Sequence, residues 1–184
     1  MHVTFDDAFT SVARIAPALE RMRVPATVFA CAGLADEGLP LAVPELAEHA
    51  AAYPDELKTM NWDELRALSR RDGFEIGSHT LTHPHLTELD DETLVRELRD
   101  SRARIVDELG ACRYLAYPFG HEDARVNGVA REAGYEAAFG LPGDASGANR
   151  MSLPRVGVYR KDSLPRLAAK TLAPLRRAAE LVRR

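Results

Sequence analysis

The segment FEIGSHTLTH, residues 74–83, joins a strand-forming run to a polar loop that carries two histidines. Phe74-Glu75-Ile76 begins this strand directly after Gly73, which ends a helical pattern. The same change from a short apolar run to a polar loop follows residues 3–5 and 114–117. Helical patterns separate the three runs, and strands that alternate with helices are typical of a parallel sheet. The sequence therefore predicts an α/β fold.

Hydrophobic periodicity extends this prediction over the rest of the chain. We predict strands over residues 3–5, 26–30, 74–76, 114–117, 135–139 and 155–159. We predict helices over residues 12–22, between Asn61 and Gly73, between Asp90 and Gly110, over 123–133, and over 164–182 with a kink at Pro174. Residues 33–54 form a loop-rich insertion, and residues 140–152 form a loop. We expect one domain over residues 1–184, with its core within 1–160 and a C-terminal helix within 163–183.

The charge balance and the apolar runs exclude some partners. The 184 residues contain 24 Lys and Arg and 28 Asp and Glu, which gives a formal net charge of −4. A mildly acidic chain lacks the basic surface of nucleic-acid-binding proteins. No uncharged apolar run approaches the roughly 18 residues that a membrane-spanning helix needs. We therefore expect no nucleic-acid partner and no membrane span, and the oligomeric state stays open.

Three polar loops follow predicted strands. Asp6-Asp7 comes after the first, where strand alternation would point the two carboxylates in different directions. His79 and His83 are four residues apart, a spacing that brings both imidazoles onto one face of a helical turn. The third loop, Tyr117-Pro118-Phe119-Gly120, is a rigid turn able to present a backbone N–H. Since catalytic groups gather where parallel strands end, we expect these loops to share a site.

Each loop by itself also has an ordinary structural explanation. An Asp pair at a strand end commonly caps a helix or forms a turn. Two histidines four apart are more often surface residues than ligands, and a Tyr-Pro-Phe-Gly segment is usually only a turn. Together, two imidazoles and one carboxylate make an open three-ligand metal site, with a position for water and a second carboxylate left to act as base. The combination therefore favours metal-assisted hydrolysis.

Three motifs resemble those of a known family: TFDD at residues 4–7, GSHTLTH at 77–83 and YPFG at 117–120. In order and spacing they are similar to the first three motifs of the polysaccharide deacetylases, the NodB-homology domain of carbohydrate esterase family 4. The resemblance runs from residue 3 to about residue 159. It implies a distorted, incomplete (β/α) barrel. It also implies a metal-dependent hydrolase that removes N- or O-acetyl groups from sugars.

The resemblance also implies roles for individual residues. Asp7, His79 and His83 would be the ligands of one divalent metal ion, with Zn²⁺ expected and Co²⁺ or Ni²⁺ as alternatives. Asp6 would be the general base that accepts a proton from the attacking water.

The third motif would contact the substrate. Tyr117, Pro118 and Phe119 would border the sugar, and the N–H groups of Tyr117 and Phe119 would face the oxyanion, since proline has no N–H. His85, one position outside the family spacing, is expected to lie in the substrate groove.

The sequence departs from the family pattern at two catalytic positions. Many members carry an arginine two residues before the motif proline, to keep the catalytic aspartate ionised, and here that position is Ala116. We expect Arg155, on the last predicted strand, to reach Asp6 and take the place of the missing arginine. Better-studied members also place a histidine near the final strand to protonate the leaving amine, and this chain has no histidine after His121. His121 is a candidate acid, and an exposed residue at a helix start is the alternative.

Three functions follow from these residues. The first is deacetylation of N-acetylhexosamine units of a polysaccharide or glycoconjugate, so the expected partner is a carbohydrate substrate. The second is hydrolysis of a small-molecule C–N bond, in a formamide or a cyclic ureide, on the same barrel. The third is a degenerate relative that binds sugar or metal without turnover. The insertion at 33–54 should distinguish the first two functions, because an open cleft fits a polymer and a closed pocket fits a small molecule.

As written, the chain predicts a cytoplasmic location, and an exported or membrane-anchored one if an upstream segment is missing.

Overall fold

The sheet of this protein is a curled half-barrel of parallel strands covered by helices. The structure, a computed structural model, describes residues 1–41, 47–53, 55, 57–141, 149–159 and 161–171. In these ranges the strands are β1 (Val3–Phe5), β2 (Ala26–Ala30), β3 (Phe74–Ser78), β4 (Tyr114–Ala116) and β5 (Ala137–Phe139). All four strand pairings are parallel, and the strand order β1-β2-β3-β4-β5 follows the sequence. The predicted α/β fold and incomplete barrel are confirmed.

Helices connect successive strands, as the periodicity predicts. The predicted helices between strands are α1 (Ser11–Arg21), α3 (Trp62–Ser69), α4 (Asp91–Leu109) and α5 (Ala124–Glu132), and α6 (Leu164–Thr171) follows β5. A further short helix, α2 (Ala47–Ala52), lies within the insertion that the sequence analysis expects to be loop-rich. Asn61 and Glu64 form a capping box that begins α3, and Asp90 accepts the Thr93 N–H to begin α4. Gly110 ends α4 with φ of 87°, a conformation that glycine adopts without strain. None of the helices in the described ranges combines the length and apolar character needed to cross a membrane.

The core lies between the sheet and the helices packed on it. Every residue of β2, which lies between β1 and β3, is buried, and this explains its continuous apolar and β-branched sequence. The helices contribute buried side chains at helical spacing: Val12 and Ala16 from α1, Leu65 and Leu68 from α3, and Leu94, Leu98 and Ile105 from α4. Each fully buried Val, Leu or Ile side chain contributes about 1.5–3 kcal/mol through apolar burial, which fixes α3 and α4 against the sheet.

Two predictions about the end of the chain differ from the structure. Residues 155–159 are not a strand, because sheet pairing ends at Leu153, which forms an isolated parallel bridge with Phe139. The next residue is Pro154, which has no N–H to continue the ladder. The helix predicted over 164–182 is described as α6 to Thr171, and its continuation with the kink at Pro174 lies outside the described residues.

The sheet register brings the three polar loops together. Phe5 pairs with Val28, Ala30 with Ser78, and Ser78 with Leu115. Because the strands are parallel, their carboxyl ends lie along one edge of the half-barrel. The loops that follow β1, β3 and β4 therefore start side by side.

Candidate active site

Asp7, His79 and His83 form a cluster at the carboxyl edge of the sheet. The Oδ1 atom of Asp7 lies 3.5 Å from Nε2 of His79 and 3.4 Å from Nε2 of His83. These separations exceed normal hydrogen-bond distances, and this buried Oδ1 has no hydrogen-bond partner among the described residues. One carboxylate and two imidazoles that converge without bonding to one another fit a divalent cation, and this donor set suits zinc.

The orientation of His79 is fixed by the neighbouring strand. Its Nδ1 lies 2.7 Å from the backbone carbonyl oxygen of Ala116. A carbonyl can only accept, so Nδ1 carries a proton, and Nε2 is the ring nitrogen that faces Asp7 and is placed to bind a cation. The side chain is only 2% exposed, so packing holds the ring in this orientation.

The loop that carries both histidines is not a helical turn. The N–H of His79 still donates to the Ala30 carbonyl, which continues the sheet pairing, and Thr80 and His83 then take φ values of 71° and 64°. The N–H of His83 donates to the Thr80 hydroxyl, which closes the loop. The helical geometry expected from the spacing is therefore wrong, although the two imidazole centroids do lie 4.8 Å apart. The left-handed residues of the loop, rather than a helix face, bring the rings together.

Burial keeps the second histidine neutral. Burial, followed by repulsion from His79, lowers the pKa of His83 to about 4. Near neutral pH the ring is therefore uncharged and offers a lone pair, as a metal ligand must. Burial also raises the pKa of Asp7, an effect that the charge of His79 partly offsets.

Asp6 lies beside this cluster, where it interacts electrostatically with His79 and His83, and it pairs with Arg155. Asp7 has φ of 67°, so this turn in the backbone, rather than the expected strand alternation, separates the two side chains. Nη1 of Arg155 lies 2.6 Å from Oδ1 of Asp6, and Nη2 lies 2.9 Å from Oδ2. Arg155 is itself held by the Gly140 carbonyl at 3.2 Å and the Thr4 hydroxyl at 3.3 Å. The predicted contact is therefore present as a bidentate pair, although Arg155 comes from an irregular segment rather than a strand.

The arginine controls the charge of Asp6. Burial alone would raise the pKa of Asp6, but the hydrogen bonds and charge of Arg155, with a contribution from His79, outweigh burial. The net effect lowers the pKa of Asp6, so this carboxylate is ionised and able to accept a proton at neutral pH.

Tyr117 and Pro118 lie differently from the expectation that they border a sugar. Both are buried, and the Tyr117 N–H donates to the Phe139 carbonyl at 3.0 Å. The Tyr117 hydroxyl lies 2.7 Å from Oδ1 of Asn127 and 2.8 Å from the Met151 carbonyl oxygen. Burial raises the pKa of Tyr117, so the hydroxyl stays protonated. Tyr117 therefore supports the turn from inside, and neither its side chain nor its N–H faces a ligand.

Phe119 is the residue of this turn that reaches the site. Its φ is 58°, and its ring is partly exposed. The ring packs edge-on against His83, with centroids 4.7 Å apart, and stacks on His85 at 4.0 Å. No acceptor in the described part of the chain takes the Phe119 N–H. This N–H is the one that the turn leaves for a ligand.

His121 lies at the outer end of this row of rings. Its exposed imidazole stacks on His85, with centroids 5.4 Å apart, and the two Nδ1 atoms are 3.3 Å apart. Its ring centroid is 6.1 Å from that of Phe119, which itself contacts His83. His85 thus links His121 to the turn, and its place in a substrate groove stays a prediction.

Glu97 is a buried acidic residue that the sequence analysis missed. It lies on α4 and accepts hydrogen bonds from the loop that carries the two histidines. The sequence did contain a signal, because Glu97 falls on the inward stripe of α4, three residues after Leu94 and next to Leu98. A charged side chain on a buried helix face is uncommon unless it is paired.

A parallel half-barrel with an Asp-His-His cluster at the carboxyl ends of its strands defines an α/β protein with a candidate metal-dependent active site. The family model for polysaccharide deacetylases matches residues 1–138, and the chain belongs to this family. It is therefore a member of a family of hydrolases that deacetylate polysaccharides. A comparison with curated protein sequences gives no match.

Solved structures share this fold. The Streptococcus pyogenes deacetylase PplD, solved in complex with acetate, is 20% identical with a TM-score of 0.72, over 91% of this chain and 68% of that one. The putative polysaccharide deacetylase BA0330 from Bacillus anthracis is 18% identical with a TM-score of 0.73, over 92% of this chain and 50% of that one. IcaB from Ammonifex degensii is 23% identical with a TM-score of 0.68, over 93% of this chain and 72% of that one. The chain thus spans half the length of the B. anthracis protein.

Proposed function

We propose that this protein is a metal-dependent deacetylase that acts on N-acetylhexosamine units of a polysaccharide or glycoconjugate. The observation that carries this proposal is the convergence of Asp7, His79 and His83 beside a carboxylate, Asp6, that an arginine keeps ionised. A site with both a ligand set and a separate charged base has what hydrolysis of an amide requires.

The three cluster residues would hold one divalent cation. Zn²⁺ is the expected ion, with Co²⁺ or Ni²⁺ as alternatives, because two imidazoles and a carboxylate suit all three. When bound, the cation would polarise the acetyl carbonyl and lower the pKa of a water molecule. The protein contributes the neutral state of His83 and the fixed orientation of His79.

Asp6 would act as the general base. It accepts the proton of the attacking water, and it can do so at neutral pH because Arg155 lowers its pKa. The bidentate contact also fixes the direction of the carboxylate, which a general base requires as much as the correct charge.

The Phe119 N–H would stabilise the negative charge that develops on the acetyl oxygen. A fixed backbone donor acts in this way without reorganising during the reaction. The Phe119 and His85 rings would form the wall against which the sugar lies. This assignment differs from the expectation for the turn, since Tyr117 and Pro118 are buried.

His121 is the group that we propose protonates the leaving amine. It is exposed and joined through His85 to the turn beside the cluster. An amine leaves only after protonation, whereas a nitrophenolate does not require it. His121→Gln should therefore slow release of acetate from an N-acetylated sugar and leave hydrolysis of p-nitrophenyl acetate unchanged. An equal loss on both substrates would remove His121 from this role.

The substrate class is tested by measuring acetate release from N-acetylglucosamine oligomers, with N-formyl amines and hydantoins assayed in parallel. The proposal predicts turnover of the oligomers and its loss in Asp6→Asn. Turnover of the formamide or the ureide alone would favour the small-molecule hydrolase. Sugar binding without any turnover would favour the non-catalytic relative. Part of the insertion that should distinguish a cleft from a pocket, residues 42–46 and 54, lies outside the described residues.

A further inference from the structure

Glu97 is a buried carboxylate whose partners are backbone groups of another segment. Its residue surface is 5% exposed, and no Lys, Arg or His side chain in the described ranges pairs with it. Its Oε2 accepts the N–H groups of Leu81 and Thr82, both at 2.9 Å, and its Oε1 accepts the Thr82 hydroxyl at 2.7 Å. A buried carboxylate is costly unless hydrogen bonds satisfy it, and here three donors from one loop do so.

These donors belong to the segment between the two histidines of the cluster. Leu81 and Thr82 lie between His79 and His83, so the carboxylate of Glu97 holds the middle of the ligand loop. Glu97 makes no hydrogen bond or ion pair with a ligand side chain in the described residues, so it acts on the cluster through the loop.

The opposite side of the same loop is held by the segment after β2. The Thr80 carbonyl accepts the Ala32 N–H at 3.1 Å, and the Leu81 carbonyl accepts the Gly33 N–H at 2.8 Å. A Cβ at Gly33 would lie 2.7 Å from the Leu81 oxygen, so only glycine permits this approach. The backbone of the loop is thus held between Gly33 on one side and Glu97 on the other.

The loop needs such restraint because its conformation is unfavourable by itself. Thr80 and His83 both have positive φ, which β-branched and bulky residues rarely adopt. Conformations of this kind persist only where the surrounding structure imposes them. Without Glu97, the Leu81 and Thr82 N–H groups would lose their acceptors, and the loop would have other conformations available.

We propose that Glu97 is a positioning residue that holds the His79–His83 loop in its metal-binding conformation and thereby sets the affinity of the site for its cation. This inference rests on the proposed metal site of Asp7, His79 and His83. Glu97 sits on α4, a helix of 19 residues packed in the core, so the loop is tied to a rigid element.

The test compares Zn²⁺ affinity among variants of the whole chain by competition with a chromophoric chelator, with the visible spectrum of the Co²⁺ form as a second readout. Glu97→Ala should weaken Zn²⁺ binding about 10- to 100-fold, the usual effect of losing a partner that orients ligands, and should change the Co²⁺ spectrum. Glu97→Gln should bind Zn²⁺ nearly as tightly as the parent. Its amide oxygen can accept both N–H groups, and its NH₂ can donate to the Thr82 hydroxyl.

Two controls separate positioning from general destabilisation. Ile105→Ala removes a fully buried side chain from the same helix without touching the loop, so it should lower thermal stability and leave Zn²⁺ affinity unchanged. If Glu97→Ala does not fold, Thr82→Val decides the matter. Thr82 is exposed, and its replacement by valine removes only the 2.7 Å hydrogen bond from its hydroxyl to Glu97. The Thr82→Val variant should therefore bind Zn²⁺ more weakly than the parent.

Three results would overturn the inference. The first is parental Zn²⁺ affinity in folded Glu97→Ala, or in Thr82→Val if the alanine variant does not fold. The second is a Glu97→Gln variant as weak as Glu97→Ala, because the charge rather than the hydrogen bonds would then matter. The third is a loss of affinity in Ile105→Ala equal to that in Glu97→Ala. The His83→Ala variant distinguishes failure of the positioning role of Glu97 from failure of the proposed metal site. If it weakens Zn²⁺ binding while Glu97→Ala does not, the metal site stands and only the positioning role is wrong.

Discussion

Replacing Arg155 by alanine should move the acidic limb of the pH–rate profile to higher pH. Asp6 must be ionised to accept a proton, so kcat/KM falls as the pH drops through its pKa. Arg155 lowers that pKa through two hydrogen bonds and its positive charge. In Arg155→Ala the burial of Asp6 remains and the opposing charge is gone. The pKa of Asp6 therefore rises, and the base is lost at a higher pH.

The size of this shift follows from the geometry of the pair. An opposite charge in contact lowers a carboxyl pKa by about 1–3 units. The Asp6 side chain is 33% exposed, so water screens part of the interaction, and we expect an effect toward the lower end of this general range. Because the rate changes tenfold per pH unit on this limb, kcat/KM there should fall about 10- to 100-fold.

The assay measures kcat/KM for acetate release across the acidic range, with metal content determined at each pH. Arg113→Ala is the matched control, because Arg113 makes a similar bidentate contact with Glu75 at 2.9 Å that does not involve Asp6. This exposed pair should contribute little to stability and leave the profile unchanged. Arg155→Lys keeps the positive charge but loses the bidentate contact, so its acidic limb should lie between those of the parent and of Arg155→Ala. An acidic limb that does not move in Arg155→Ala would refute the reasoning.

Three further substitutions test other parts of the account. His79→Ala and His83→Ala should each reduce bound Zn²⁺ well below one equivalent by elemental analysis, and full occupancy in either would exclude that ligand. Asp6→Asn should keep its metal and lose about 10²- to 10⁴-fold in turnover, because an amide cannot accept the proton; unchanged turnover at equal metal loading would show that Asp6 is not the base. Tyr117→Phe should lower the free energy of unfolding in urea by about 1–3 kcal/mol, since it removes the one hydroxyl proton that the buried Asn127 and Met151 oxygens share. A Tyr117→Phe protein as stable as the parent would mean that these acceptors find other partners.

The sequence predicted the parallel sheet and the grouping of its polar loops, because both follow from short-range patterns. Apolar runs alternate with helical periodicity, and the ends of parallel strands must share one edge. The chemistry of two imidazoles and one carboxylate was likewise readable from residue types and spacing. The capping box at Asn61 and the end of α4 at Gly110 are local signals of the same kind.

Features imposed by tertiary contacts were not predictable in this way. Thr80 and His83 have positive φ, which opposes the intrinsic backbone preference of these residue types. The spacing of the two histidines therefore predicts a helical turn, and this prediction is wrong. Tyr117 looked available at the end of a strand, but pairing with Phe139 buries it. By contrast, the sequence itself contained a signal against the strand predicted over residues 155–159, because Pro154 has no N–H to continue the ladder of hydrogen bonds.

The most direct test of the central claim is a metal titration of activity. The protein is stripped with a chelator and Zn²⁺ is added back in measured amounts, while acetate release from an N-acetylglucosamine oligomer is followed. The account predicts no turnover in the stripped protein and a rise in proportion to added metal that ends at one equivalent per chain. Full activity in the stripped protein, or no acetate release after one equivalent has bound, would contradict it.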